Sequence, residues 1–535
     1  MPTVARRLSL GLLLLLLAVP PAAAAPPPPT IEARVRSVND LLGLAEYVGG
    51  LADQAEGGKQ VAALVKAFAN PKTGLEGLDT GRPFGFYAAV TPDVQDSPAV
   101  LLIPVADETA FLKLLTGRLN LKPKKGDGDV YEMRVPNVPL PVYFTVRDRY
   151  AYACLNNTAA LADAARVAPK DFFPAAGAGP VAAVTVHLDR VPESIRKAVF
   201  AQAELKMADD KRQARPGEKP AAKKLREWAG DQTVAAIRAV AAEGKTLTVT
   251  LDITPKTDDI TAVVTLVPKV GTPLAANVTG WVTKTGITLP PTPSPLAAVR
   301  VNLGLPPEAL KSWTPVADAV LADAVADAKE NDKVGVQAVV DAFRPTVRAG
   351  ILDMTLAADG KPGRWNVTQV LRVVGGEKIG ETVEFLAPYL PKEVGTIKLG
   401  VEKKGGVAVH QAAVPDAEKP FGSPGIWLGT AADRFLFSAE ADGRRLKAAT
   451  ERKPEAGPVV AAELSVARIG ALAEKKASPE TVKEITDNVF GDAGPAGRDT
   501  LTLAVTGGDQ ATATLSLKGL AFKYLFLVGK AGQGE

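Results

Sequence analysis

Asp148-Arg149-Tyr150-Ala151-Tyr152, then a short Ala-rich helix, then Gly179-Pro180-Val181-Ala182-Ala183 form a joint that the chain uses twice. The second copy reads Asp433-Arg434-Phe435-Leu436-Phe437, a short basic helix, then Gly457-Pro458-Val459-Val460-Ala461. A recurring joint marks a repeated architecture, and missing it would misassign the whole fold. The copies share turns and apolar positions rather than reactive side chains. The repetition therefore speaks to architecture before activity.

Working outward from these joints, one order of elements recurs. A small-apolar strand comes first: 182–188, 296–303 and 459–465. A helical stretch comes second, opened by Pro192-Glu193 or Pro307-Glu308, where proline and an acid suit a first helical turn. An alternating hairpin comes next. It reads Leu247-Val249-Leu251 with Ile260-Ala262-Val264-Leu266, Leu352-Met354-Leu356 with Val367-Gln369-Leu371-Val373, and Leu501-Leu503-Val505 with Ala511-Ala513-Leu515-Leu517. Period-two alternation bounded by turn residues predicts antiparallel pairing. Residues 30–119 fit the same order, with a helix over 108–115.

These patterns predict an internally duplicated α+β fold, with antiparallel β-sheets, helices packed on one face and two similar halves. The order strand-helix-strand-strand-helix-strand suggests a ferredoxin-like split motif. The expected domains are a signal peptide at 1–24, a first half at 25–288, a proline-rich linker at 289–295, a second half at 296–528 and a tail at 529–535. Each half reads unit–connector–unit: 30–119, 129–167 and 180–278, then 296–386, 395–450 and 458–528. Successive prolines in Leu289-Pro290-Pro291-Thr292-Pro293-Ser294-Pro295 remove backbone donors and favour an extended linker. One stretch departs from the pattern, a Lys/Arg-rich insertion at 206–226 broken by Arg215-Pro216-Gly217.

A chain of 535 residues exceeds one ordinary core, and 46% apolar content marks it as globular. A formal charge of +4 does not make a nucleic-acid footprint, and few aromatic residues argue against stacking platforms for bases or sugars. Arg6 and Arg7, the apolar run Leu8 to Val19 and Ala22-Ala23-Ala24 form an export signal, with cleavage expected after Ala24. The Arg pair also fits a twin-arginine address loosely. No later stretch is long enough to span a membrane; Ala521 to Val528 reads as strand-sized. Cys154 is the only cysteine, so no intramolecular disulfide forms. Together these point to an exported bacterial protein, periplasmic or extracellular.

Candidate chemistry is sparse. His187 and His410 sit mid-strand in different elements and are too few for a zinc site, so no metal is expected. Ser194-Ile195-Arg196-Lys197 and Lys284-Thr285-Gly286 match two motifs of penicillin-recognising enzymes, but the third is missing, and Lys72-Thr73-Gly74 repeats the triplet by chance. Asp127-Gly128-Asp129 and Asp258-Asp259 fall at turns and supply too few oxygens for calcium. Cys154 shares a strand face with Tyr150 and Tyr152, which predicts a buried thiol. The 206–226 segment, with Asp209, Asp210, Glu218 and Glu227 interspersed, predicts a solvated helical face. No phosphate-binding or dinucleotide-binding glycine pattern is present, so no cofactor is expected and no catalytic residue can be named.

Pro104-Val105-Ala106-Asp107-Glu108-Thr109-Ala110-Phe111-Leu112 resembles segments of uncharacterised exported proteins from planctomycete-type bacteria. That resemblance implies no activity, cofactor or site residue. The expected function is a non-enzymatic envelope protein, a scaffold or binding module for an unidentified protein or ligand. The alternatives are a hydrolase of envelope polymers working through carboxylates distant in sequence, and a carrier of an apolar ligand.

Overall fold

The computed structural model describes residues 28–51, 75–126, 128–155, 158–174, 178–213, 215–361, 363–389, 395–470, 478–495 and 497–531. The expected export signal at 1–24, Lys72-Thr73-Gly74 and Asp127 lie outside them. The chain forms two compact units, 1–41 with 67–179, and 42–66 with 180–535. The division falls between Gly179 and Pro180, inside the first joint, and not at 289–295.

The first unit contains β1 (Ile31–Val35), β2 (Phe84–Ala88), β3 (Ala99–Pro104), β4 (Lys124–Lys125), β5 (Tyr131–Met133), β6 (Val142–Arg147) and β7 (Tyr150–Leu155). They pair antiparallel in the order β1-β2-β3-β7-β6-β5-β4. Helix α1 (Val38–Leu51) begins in this unit, and α2 (Glu108–Lys113) and α3 (Pro169–Phe172) lie wholly within it. The Asp107 carboxylate accepts from the Ala110 N–H at 2.7 Å and starts α2, as an N-cap should.

Alternation along β7 decides the packing here. Tyr150, Tyr152 and Cys154 point to one face and pack on Phe172 and Phe173 at α3. Ala151 and Ala153 point to the other, where Phe144, Phe111 and Leu115 gather. The expectation of helices on one face is therefore corrected, because β7 is apolar on both sides and each side needs a cover. Cys154 is buried beside Tyr150 and Tyr152, as its spacing indicates.

In the second unit β8 (Ala182–His187), β9 (Gly244–Thr254) and β10 (Asp259–Pro268) come first, with α4 (Glu193–Arg212) and α5 (Pro220–Glu243) between β8 and β9. Helix α6 (Pro273–Thr283) and the short strand β11 (Thr285–Gly286) lead to β12 (Ala297–Gly304). Helices α7 (Pro307–Ala326) and α8 (Lys333–Arg348) precede β13 (Ile351–Lys361) and β14 (Arg364–Arg372). Then come α9 (Gly376–Leu386), β15 (Thr396–Lys404), β16 (Val407–Ala413), α10 (Glu418–Phe421), β17 (Gly425–Ala431), β18 (Arg434–Ala439) and α11 (Arg444–Thr450). The chain closes with β19 (Glu455–Ala456), β20 (Val460–Ser465), α12 (Val466–Gly470), α13 (Pro479–Phe490), β21 (Thr500–Thr506), β22 (Ala511–Lys518) and α14 (Gly519–Ala531).

The long strands make one antiparallel sheet in the order β8-β9-β10-β22-β21-β20-β12-β13-β14-β18-β17-β16-β15. The ferredoxin-like pairing is not formed. Two helices, not one, separate β8 from β9, β12 from β13 and β20 from β21, so the chain returns to pair each strand with its predecessor. Helices again meet both faces: Ile379 of α9 packs with Leu371 and Phe435, and Leu446 of α11 with Val370 and Leu436.

The run from Ala521 to Val528 is helical rather than a strand. Leu520, Ala521, Tyr524, Leu527 and Val528 recur at helical spacing and enter one core with Phe490. Short apolar runs are ambiguous between the two periods, and here the start decides. The Asp258 carboxylate accepts from the Leu520 N–H at 3.1 Å at the first turn.

Along the end of this sheet formed by β8, β9, β10 and β22 one face is apolar and open. Val184 lies opposite Val249, Val249 opposite Val264, and Val264 opposite Ala513. Val184, Val249 and Leu515 are 44% exposed and Val264 39%. The other face carries a cross-strand row Thr185–Thr248–Thr265–Thr512–Thr506, a favourable pairing for β-branched hydroxyls.

Candidate functional site

The proline-rich stretch 289–295 runs against the sheet instead of spanning open solvent. Ile287 is buried, and Leu289 packs on the cluster of Val370, Leu436 and Leu446. Its anchor is a buried carboxylate. Asp353 is 1% exposed on β13; its Oδ1 accepts from the Ile287 N–H at 3.1 Å, and Arg372 Nε lies 2.6 Å from its Oδ2. Arg300 Nη2 donates to the Glu455 carbonyl at 2.5 Å, and Arg372 Nη2 to the Thr285 carbonyl at 3.4 Å. These polar groups clamp the small β11–β19 pair onto the sheet. Gly286 has no room for a side chain: a Cβ there would lie 2.7 Å from Asn302 Nδ2 and 3.0 Å from Asp353 Oδ1.

Pinned in this way, the prolines roof a cavity of 180 Å³. Leu289, Pro290, Pro291 and Pro293 form one wall, Ala357 and Thr368 of β13 and β14 the floor, and Arg444, Arg445 and Ala448 of α11 the rim. The polar groups are few and ordered. Glu440 is buried, and its carboxylate accepts from the backbone N–H groups of Arg445 (3.0 Å) and Leu446 (3.0 Å). Ser438 Oγ donates to Glu440 Oε1 at 2.8 Å. Ser438 Oγ also lies 3.2 Å from the Val367 carbonyl and 2.9 Å from Thr368 Oγ1, a contact in which either hydroxyl can donate. The Thr368 oxygen retains acceptor capacity. Arg445 Nη2 donates to Asp359, which also accepts from Asn366 Nδ2 at 3.1 Å. Arg445 Nη1 is buried and has no hydrogen-bond partner among the described residues. A buried unpaired donor costs about 1–3 kcal/mol, so it needs an explanation.

No protein-family model, curated protein or solved structure matches the chain. The reading therefore rests on this chain's own geometry, and the other candidate residues separate cleanly. His410 is buried with both ring nitrogens engaged: Nδ1 accepts from the Gly400 N–H at 3.3 Å, and Nε2 faces Thr430 Oγ1 at 3.1 Å. Burial holds its pKa below the usual histidine value. His187 ends β8, opposite Thr246 on β9. Among the described residues no group of three or more His, Cys, Asp or Glu could hold a metal.

Lys197 pairs with Glu193 at 2.8 Å rather than with Ser194. Lys284, Thr285 and Gly286 belong to the clamp, and burial depresses the Lys284 pKa. Asp129 pairs with Arg147 and Lys125, Asp258 accepts from the Tyr47 hydroxyl, and Asp259 pairs with Lys518 at 2.8 Å. In the 206–226 segment Arg226 bonds Glu218 at 2.8 Å and Lys211 bonds Asp231 at 2.5 Å, so much of the positive charge is matched locally.

The cavity residues Thr368 and Arg445, and Ser438 and Glu440 bonded behind them, did not emerge from motif reading. The signal was present in two places: the proline run itself, and Asp353 standing between Leu352 and Met354 in an apolar alternation.

Proposed function

We propose that the chain is a non-enzymatic exported envelope protein, a binding module whose recognition site is the cavity at 289–293. The single observation that carries this reading is the cavity lining. It combines an apolar body of Leu289, Pro290, Pro291, Pro293 and Ala357 with the polar side chains of Thr292, Thr368, Arg444 and Arg445, and its lining residues include no carboxylate, imidazole, amine or thiol that could move a proton or attack a carbonyl. Asp359 and Glu440, the nearest acids in this network, are committed to Arg445, Asn366 and backbone N–H groups. The test is incubation of the purified mature protein with peptide and cell-wall polymer substrates. Unaltered substrate is the expected result, and turnover abolished by replacing one carboxylate would establish the hydrolase alternative.

A carrier function is the second reading, favoured by the open row Val184–Val249–Val264 with Leu515. Apolar surface of this extent is stabilised by cover, at about 25 cal/mol per Å². Mass spectrometry of the natively purified protein should then find a co-purifying lipid or other apolar molecule.

The chain further reads as a duplication. The strand order β1-β2-β3-β7-β6-β5-β4 in one unit matches β12-β13-β14-β18-β17-β16-β15 in the other. Strands β10 and β22, the last hairpin strands of their respective halves, pair antiparallel from Asp259↔Lys518 to Leu266↔Ala511. On this reading, the duplicated halves keep a common framework, and the second adds the cavity under its proline stretch.

A further inference from the structure

We propose that His410 is an acid-sensitive latch on the outer strand β15, and that its protonation frees residues 396–401 while the rest of the sheet stays paired. Strand β15 ends the sheet and pairs only with β16 among the described residues. The ladder between them is interrupted. Lys398 lies opposite Gln411 and Glu402 opposite Val409, so three residues, Leu399, Gly400 and Val401, stand against the single residue His410. A bulge of this kind leaves backbone groups without ladder partners. Gly400 takes a left-handed φ of 56° there, and its N–H donates to His410 Nδ1 at 3.3 Å.

These partners fix the state of the ring. An Nδ1 that accepts from an N–H carries no proton, so the neutral ring is protonated on Nε2 and donates to Thr430 Oγ1 at 3.1 Å. A second proton has one place to go. On Nδ1 it points at the Gly400 N–H, two donors face each other, and the bulge loses its acceptor. Of the charged groups around the ring, Glu384 of α9 favours the imidazolium, but burial opposes it more strongly and keeps the ring neutral near pH 7. Glu377, Lys378 and Glu381 of α9, and Lys403 of β15 opposite Ala408, are exposed. Strand β17 presents only Leu428, opposite His410, and Thr430.

Little else holds the first half of β15. None of its nine residues is buried, and Leu399 and Val401 are 43% and 44% exposed. Beyond the bulge Glu402 pairs with Lys447 at 2.7 Å and Lys404 with Glu451 at 3.1 Å, which ties that half to α11 and its end. Residues 396–401 have no such ion pair among the described residues, so they can open without uncovering a core. The row Gln369–Phe437–Leu428–His410 lies on the side of the sheet opposite Thr368, so the latch is independent of the cavity.

The test is amide hydrogen exchange of the mature protein, read by mass spectrometry and corrected for the intrinsic pH dependence of exchange, as pH falls from about 7 to 4. Protection over 396–401 should drop about ten-fold, the effect of losing one buried hydrogen bond, with β16 and β17 unchanged. His410→Asn sets an amide oxygen near the place of Nδ1 and cannot titrate, so its 396–401 segment should stay protected throughout. His410→Ala removes the acceptor at every pH, so the segment should exchange faster already at pH 7. In the parent protein, NMR of isotope-labelled histidine should show the Nε2–H tautomer at pH 7. An equal drop in His410→Asn would place the titration elsewhere and overturn the proposal. So would the Nδ1–H tautomer, no drop in the parent, or loss of β16 and β17 protection at the same pH.

Discussion

Strand β7 of the first unit and strands β9, β10 and β22 of the second are built on the same alternation but end in opposite environments. On β7 both sides are covered, with Tyr150 and Tyr152 under α3 and Ala151 against Phe144 and Phe111. On β9, β10 and β22 of the second sheet the apolar side stands 39–44% exposed at Val264, Val249 and Leu515. The difference lies in the segments that connect the strands. The first unit places aromatic residues soon after its last strand, at Phe172 and Phe173. The second unit places long helix pairs between strands, and these meet one another, as with the tilted Trp228–Trp313 contact between α5 and α7. An alternating strand therefore specifies a sheet, and its neighbours in sequence decide whether the apolar side becomes core or surface.

The largest expected effect lies in the covered region. Phe144 is 1% exposed between Tyr131 and Phe111, so Phe144→Ala should cost about 3–5 kcal/mol, read as a lowered urea midpoint for the first unit. A loss near zero would show that this side of the sheet is not packed as described. Next comes the polar clamp. Asp353→Ala strands the Ile287 N–H and releases Arg372, which is itself partly exposed, and should cost about 2 kcal/mol. Loss of the cavity without loss of the second unit's fold would accompany it, and an unchanged midpoint would contradict the clamp.

His410 sharpens the same contrast through pH. Burial holds its folded pKa below the unfolded value of 6.5, so as pH falls the unfolded chain takes up the proton first. Stability contributed by neutral His410 is complete above that value and is lost as pH drops through it toward the lower folded pKa. His410→Gln should flatten the dependence between about pH 7 and 5 relative to the parent protein. An identical profile in both would place His410 in contact with solvent. The smallest effect belongs to the open face, where Val249→Thr and Val264→Thr should change stability by less than about 0.5 kcal/mol. A cost of several times that would mean the face is covered.

Much of the architecture was legible in advance because it depends on local chemistry. Alternating hairpins at 247–266 and 501–517, helix starts at Pro192 and Pro307, and the buried side of β7 all derive from period, turn and cap. Three features were not legible for identifiable reasons. The helix count between β8 and β9 depends on whether the Lys/Arg-rich insertion at 206–226 is one helix or holds the turn between two, and it holds the turn between α4 and α5. The run Ala521–Val528 is short and apolar enough to fit either period, and the packing of Ala521 and Tyr524 on Phe490, with the Asp258 carboxylate far away in sequence at its first turn, accompanies the helix. The proline stretch has the composition of a linker, yet it lies on the sheet because Asp353 and Arg372 hold the residues just before it.

The cavity was hidden for a related reason. Its surroundings are set by hydrogen bonds that join Glu440, Ser438 and Thr368 and by a pair between Arg445 and Asp359, 86 positions apart. No spacing rule connects those residues; only the pairing of β13, β14 and β18 does. The Lys284-Thr285-Gly286 triplet had the motif signal, but it serves as part of the clamp.

The most direct test of the binding-module reading is retention of the mature protein on insoluble envelope polymer, with the supernatant assayed for released fragments, in parallel with Ala448→Phe. Retention of the parent protein, its loss in the variant and an absence of fragments are the expected results. Released fragments, or equal retention of the variant, would contradict the assignment.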